Sequence, residues 1–322
     1  MARWQQLVSP AWLDDLGRRG FLDCAGPWRL FEVGCGEPGA AGRILDAGYL
    51  DVNRLEQAPH WNKVADGALL RLLLEHGIGH DSGVILYGRN MLAAARAAHL
   101  MLYAGVTDVR LLDGGLAAWN AAGLPVAHRA PLRYPARLEF GAPFPARPDY
   151  MIDIAQARTY LSEPGAELVS IRSWTEYCGM TSGYSYIEAK GDIPGARWGR
   201  AGVDGDVNSM SEFQHADGTM KPPCDIARFW REAGIHPDQK TAFYCGTGWR
   251  ASMAFFDAWL MGWENISVYD GGWYEWSTLP CRTTDMPSVC TLSYGEADGK
   301  KGQSGLRSRE LPATSPPIES GP

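Results

Sequence analysis

The sequence predicts an α/β protein made of two tandem units, each a parallel sheet flanked by helices. The first observation behind this is an internal repeat: Tyr87 to Trp119 aligns without a gap on Tyr244 to Trp276, at a constant offset of 157 residues. Tyr87 matches Tyr244, Gly105 matches Gly262, and Asp113-Gly114-Gly115 coincides with Asp270-Gly271-Gly272. Both halves therefore run strand, loop, helix, strand and turn in the same order. The second observation is the alternation of short β-type runs with helix-spaced apolar residues, which implies parallel sheets with ligands beyond the carboxyl ends of the strands. The third is length: 322 residues is long for one domain and enough for two cores.

Taken in chain order, the first unit is expected over residues 1–126. It opens with Leu7-Val8-Ser9-Pro10-Ala11-Trp12-Leu13 and has a buried-strand pattern at Leu30-Phe31-Glu32-Val33-Gly34. Residues 127–148 read as a linker, because Pro131, Pro135, Pro143, Pro145 and Pro148 interrupt a stretch of little periodicity. The second unit is expected over 149–287. Its Leu168-Val169-Ser170-Ile171-Arg172 resembles the first unit's Leu30–Gly34 strand but ends in arginine. Residues 288–322 are rich in Gly, Ser, Pro and charge and are expected to form a disordered tail.

The most informative segment is Phe243-Tyr244-Cys245-Gly246-Thr247-Gly248-Trp249-Arg250-Ala251-Ser252. Thr241 to Tyr244 favours a strand, and Ala251 to Met261 has helix-compatible apolar spacing, so the chain must turn sharply at Cys245. A loop at a helix N-terminus turns its backbone N–H groups inward, and the helix dipole favours an anion there. A thiolate is such an anion. Gly246 and Gly248 permit the backbone angles this needs, and Arg250 adds a positive charge. Cys245 is thus the candidate nucleophile, with Gly246, Thr247, Gly248, Trp249 and Arg250 as its substrate-binding loop and Arg172 as a second anion ligand. The first half has Gly88 where the second has Cys245, and its loop Arg89-Asn90-Met91-Leu92-Ala93 has lost the glycines and the arginine at the end of the loop. It is expected to be catalytically silent.

Composition excludes several classes. Net charge is −7 and no Lys/Arg-rich run appears, so neither nucleic acid nor an anionic membrane is an expected partner. No window has the length of a membrane span and the N-terminus lacks a signal-peptide core, which gives a cytoplasmic expectation. Seven dispersed cysteines (Cys24, Cys35, Cys178, Cys224, Cys245, Cys281 and Cys290) with no Cys-x-x-Cys pair, and seven scattered histidines, predict no disulfide framework, metal site or organic cofactor. Cys178 reads as a plain thiol, and nothing assigns a role to Cys281 or Cys290.

Over residues 5 to 285 the chain resembles the tandem-domain rhodanese family of thiosulfate and 3-mercaptopyruvate sulfurtransferases. The segments that carry this are the opening at Leu7–Leu13, Arg172-Ser173-Trp174-Thr175-Glu176-Tyr177, Gly191-Asp192-Ile193-Pro194-Gly195-Ala196 (similar to the family's Gly-His-Ile-Pro-Gly-Ala), the six-residue loop from Cys245 to Arg250, and the Asp-Gly-Gly turns. The resemblance implies two rhodanese-like domains, a silent one followed by an active one. It also implies transfer of sulfane sulfur from a small anionic donor, through a Cys245 persulfide, to a thiophilic acceptor such as cyanide, a thiol or a sulfur-accepting protein. Four residues separate Cys245 from Arg250, where cysteine phosphatases of related fold have five, and the smaller ring suits sulfur better than phosphate. Cys-Gly-Thr-Gly is similar to the mercaptopyruvate branch. That branch, however, has an arginine at the position of Glu176 and a histidine where Gly48-Tyr49-Leu50-Asp51 stands, so thiosulfate is the expected donor. The alternatives are 3-mercaptopyruvate as donor, or a persulfide carrier serving a partner protein.

Overall fold

A computed structural model describes residues 1–38 and 42–278. The expected tail, Cys281 and Cys290 lie outside the described residues. The first half has strands β1 (Leu7–Val8), β2 (Trp28–Gly34), β3 (Gly48–Asp51), β6 (Gly83–Gly88) and β7 (Asp108–Leu112), with a hairpin of β4 (Glu56–Gln57) and β5 (Asn62–Lys63) between β3 and β6. Its helices are α1 (Pro10–Arg18), α2 (Asp66–Glu75), α3 (Met91–Ala104) and α4 (Gly115–Ala121). The second half has β8 (Met151–Ile152), β9 (Ala166–Ser170), β10 (Arg197–Trp198), β11 (Lys240–Tyr244) and β12 (Ile266–Tyr269). Its helices are α5 (Ile154–Tyr160), α6 (Trp174–Tyr177), α7 (Pro223–Glu232), α8 (Trp249–Leu260) and α9 (Gly272–Thr278).

The strand orders β1-β7-β6-β2-β3 and β8-β12-β11-β9-β10 are the same topology written twice, and neighbouring strands in both sheets are parallel. This is the fold class expected from the alternating elements. Local chemistry sets the helix ends. Ser9 accepts a hydrogen bond from Trp12 N–H and Pro10 stands at the first turn of α1. Asp153 and Gln156 form a reciprocal capping box on α5. α3 stops at Gly105, whose φ of 103° lies in the left-handed region.

Helices α3 and α8 are predominantly apolar and buried on all sides, and they pack against each other. The alanines of α3 (93, 94, 95, 97 and 98) leave room for the bulkier Phe255, Phe256 and Trp259 of α8 within one continuous core. Smaller apolar clusters fill the outer face of each sheet. Residues 128–147 form neither helix nor strand. They are fastened to the first half by Tyr134, whose hydroxyl accepts from Leu30 N–H at 2.9 Å, and by backbone bonds from Leu132 N–H to Ala47 O and from Arg137 N–H to Leu74 O.

The two halves grip each other reciprocally. Asp270 accepts the Lys63 N–H at 2.7 Å, and Asp113 accepts the Met220 N–H at 2.8 Å. Met220 follows Lys63 by 157 residues, as Asp270 follows Asp113. The repeat offset therefore reappears in space as a pseudo-twofold contact. Asp270 also takes Arg96 Nη2 at 2.6 Å, while Arg96 Nε donates to Glu56 at 2.8 Å, all three side chains being buried. The Asp-Gly-Gly triplets, expected only to shape turns, hold the halves together. Arg96→Met leaves two buried carboxylates without their cation and should cost about 3–5 kcal/mol of unfolding free energy in urea titration. A loss below about 1 kcal/mol would mean that the cluster is worth no more than a surface ion pair.

Candidate active site

β11 ends at Tyr244, and α8 begins at Trp249 with Gly248 as its N-cap at φ 93°. Cys245 sits between them, 1% exposed, and its Sγ accepts the Gly248 N–H at 3.2 Å. A twelve-residue helix thus begins at the sulfur and presents an unpaired backbone donor to it. The first turn of α9 secures the loop from below: Trp273 N–H donates to Cys245 O at 2.8 Å and Tyr274 N–H to Gly246 O at 3.1 Å. From above, Tyr184 lies against Gly246. Its hydroxyl accepts the Gly246 N–H at 3.2 Å, and a Cβ on Gly246 would fall 2.3 Å from the ring. Only glycine fits there.

The structure corrects the expected roles of both arginines. Arg250 is 1% exposed, and its two Nη groups make a bidentate pair with Glu176 at 2.7 and 2.9 Å, with a further bond to Tyr184 Oη at 2.8 Å. It borders the cavity, but its charge is already balanced, so it is not a free ligand for a donor's anionic end. Arg172 is fully buried and does not line the cavity. Its guanidinium bonds Glu176 Oε1 at 3.3 Å, Gly191 O at 2.6 Å and Ser182 O at 3.1 Å, and lies 3.3 Å from Asp192. It therefore braces the segment that carries Tyr184 instead of binding an anion. Burial alone would raise the Glu176 carboxyl, but the hydrogen bonds and charge of Arg250, with Arg172 behind, hold it below its ordinary value. Glu176 is also tied to the Ser173 N–H at 2.9 Å.

Thr247, Trp249 and Arg250 line a cavity of about 500 Å³, and Gly246 and Gly248 do not. Burial pushes the Tyr186 phenol up, and the nearby Thr247 side chain opposes the shift. The Trp249 indole N–H donates to both oxygens of Glu56 at 3.0 Å. Burial pushes the Glu56 carboxyl up, against the opposing effect of Arg96. Sequence reasoning missed Glu56, Trp61, Tyr184, Tyr186 and the exposed thiol of Cys35, all of which line this cavity. Glu56 and Trp61 belong to the β4–β5 hairpin and its loop, so the first half supplies one wall, in line with the position of ligand sites at domain junctions. The one available signal for the tyrosines was the run Gly183-Tyr184-Ser185-Tyr186, paired aromatics in an otherwise small and polar stretch. Cys178 is exposed and does not line the cavity. Among the described residues no group of three or more His, Cys, Asp or Glu is placed to hold a metal, and no helix is long and apolar enough to cross a membrane.

Comparison with known proteins agrees with this geometry. The chain is 51% identical over 284 residues to the thiosulfate sulfurtransferase YnjE of Escherichia coli (strain K12), covering 87% of this chain and 65% of that protein. It therefore spans just under two thirds of that relative's length. It is 30% identical over 226 residues to the sulfur carrier protein TtuD of Thermus thermophilus, covering 67% of this chain and 75% of that one. Among solved structures, the crystal structure of YnjE superposes with a TM-score of 0.82 at 52% identity, covering 86% of this chain and 67% of that one. The anaerobic ergothioneine biosynthesis enzyme from Chlorobium limicola, in complex with trimethyl histidine, superposes with a TM-score of 0.80 at 36% identity, covering 86% and 69%. The rhodanese-like domain matches twice, over residues 9–122 and 153–279, and the chain belongs to that family.

Proposed function

We propose that this chain is a sulfurtransferase that takes sulfane sulfur from thiosulfate or a similar donor and carries it as a persulfide on Cys245. The observation that carries the reading is the Gly248 N–H directed at Cys245 Sγ at the start of α8. That donor, with the helix dipole behind it, stabilises negative charge on the sulfur before and after transfer. In the first step the Cys245 thiolate attacks the outer sulfur of thiosulfate. The donor's S–S bond breaks, its electron pair leaves with sulfite, and Cys245 keeps the outer sulfur. In the second step a nucleophilic acceptor removes that sulfur and the thiolate is restored.

Since Arg250 and Arg172 are committed to Glu176, the anionic end of the donor is left to the loop amides and the helix N-terminus. This favours thiosulfate over 3-mercaptopyruvate, whose planar carboxylate is best held by a free bidentate arginine. Tyr184 Oη accepts from both Gly246 N–H and Arg250 Nη2, which leaves its own proton to donate. The relatives support the persulfide. YnjE is a thiosulfate sulfurtransferase, and TtuD, a sulfur carrier, supports the variant in which the persulfide serves a partner protein. A further similar structure, that of EanB (36% identical, TM-score 0.81), bears a persulfide on a cysteine, with a substituted tyrosine 59 residues before it. Other EanB structures carry substitutions on a threonine two residues after that cysteine. Tyr186 stands 59 residues before Cys245 and Thr247 two after it.

Cys245→Ser should abolish both the mass gain of one sulfur after thiosulfate treatment and thiocyanate formation from cyanide, lowering the rate by at least about 10³-fold. Survival of either would remove Cys245 from the mechanism. Gly246→Ala should push Tyr184 off the loop and slow sulfur loading about 10- to 100-fold, read as the single-turnover release of sulfite, because it disturbs one of the preorganised contacts around the sulfur. Loading at the unaltered rate would show that the Tyr184 contact does not matter for transfer.

A further inference from the structure

Away from the loop, the cavity is built for the opposite charge. Glu56 and Arg250 are the charged side chains that line it, and Arg250 is neutralised by Glu176. Glu56 shares its counter-ion, because Arg96 also pairs with Asp270. Two carboxylates on one guanidinium leave this cluster with one acidic group more than it has cations. The same cavity is lined by the aromatic rings of Trp61, Tyr186 and Trp249, and the Trp249 indole is held against Glu56 by its bonds to both carboxylate oxygens.

Trp61 supplies an independent observation. It is 39% exposed and has φ 60°, left-handed backbone that a bulky non-glycine residue rarely adopts. Its neighbours in the hairpin hold it there: Asn62 reaches Glu275 at 3.4 Å, Lys63 N–H reaches Asp270, and the His60 ring packs edge-on against Tyr274. A large apolar ring kept half in solvent on strained backbone does little for the core, whereas as the face of a ligand site it has a function. Aromatic faces around one carboxylate are the chemistry that binds an ammonium group.

We propose that the small-molecule acceptor of this cavity is cationic, carrying a quaternary or protonated amine that sits against Glu56 within Trp61, Tyr186 and Trp249. This rests on the reading of Cys245 as the persulfide carrier. With the ammonium so placed, a thiolate or similarly soft nucleophile on the acceptor attacks the outer sulfur. The Sγ–S bond breaks, its electron pair returns to Cys245 as thiolate, and the acceptor departs with the sulfur.

The test uses the full chain loaded with thiosulfate and freed of excess donor, and compares thiocholine with its uncharged isostere 3,3-dimethylbutane-1-thiol at equal thiolate concentration. Thiocholine should unload Cys245 at least about tenfold faster, a ratio that falls to within about twofold in both Glu56→Gln and Trp61→Leu. Trp61 is exposed, so its variant keeps the test valid where Glu56→Gln fails to fold. Equal rates in the unaltered protein, or faster unloading by mercaptoacetate, overturn the proposal. Calorimetry with choline and 3,3-dimethylbutan-1-ol on the unloaded protein separates the two readings. At least about tenfold tighter binding of choline upholds the cation site even where no sulfur loads, and equal binding overturns it.

Discussion

Arg96 lies at the centre of the first half's long helix and binds one carboxylate from each half, Glu56 in its own hairpin and Asp270 in the turn of the other. From that turn the consequences reach the sulfur. Asp270 precedes the two glycines at which α9 begins, and the first N–H groups of α9 hold the carbonyls of Cys245 and Gly246. From the other carboxylate they reach the cavity wall, since Glu56 fixes the Trp249 indole. A buried cation with two partners is costly to desolvate, and it is retained where removing any partner is costlier still. Here it ties the first half to the turn that supports the Cys245 loop, so the half with glycine in place of that cysteine is part of the cavity.

A second buried network keeps the loop in shape while contributing almost no net charge to it. Arg172 and Arg250 share Glu176, and Arg172 also faces Asp192, so two guanidiniums meet two carboxylates. An uncompensated arginine beside Cys245 would attract anions but would also be expensive to bury. With both arginines balanced, the field at the sulfur comes from the backbone: the Gly248 N–H and the dipole of α8. Such a field is fixed in place and needs no side chain to reorganise during transfer.

This division explains what could be read from the sequence. The strand-to-helix turn, the glycines and Cys245 are local features, and periodicity plus backbone rules located them. The repeat offset was legible too, and the pairing of Asp113 with Met220 and of Asp270 with Lys63 follows the same spacing. The charge partners were not legible. Glu176 is 74 residues from Arg250, and Asp270 is 174 from Arg96. No sequence pattern separates a glutamate that neutralises a loop arginine from one that faces solvent. An arginine four residues before a glutamate suggested a local pair at Arg172 and Glu176, and that pair forms, but Arg250 joins it from the far side of the fold. The hairpin bearing Glu56 and Trp61 was invisible because its importance lies in where the first half docks.

The two copies of the repeat also differ in the loop that precedes the central helix. At the start of α3, Asn90 is the N-cap and its side chain accepts the Leu92 N–H at 2.9 Å, while Arg89 pairs with Glu32 at 2.9 Å. That helix end satisfies one of its own free donors with a side chain. At the start of α8 the N-cap is Gly248, which has no side chain to offer, and its N–H turns to Cys245 Sγ instead. By the repeat offset Asn90 is the counterpart of Thr247, so the first half caps its helix one position before the residue that aligns with Gly248. A helix N-terminus with no anion to hold has donors to satisfy, and a capping side chain does so at a gain of about 1 kcal/mol. Conversely, an active loop must forgo that cap so that its donors stay free for sulfur. The glycine at the start of α8 therefore forgoes a side-chain cap and the stability that such a cap would add.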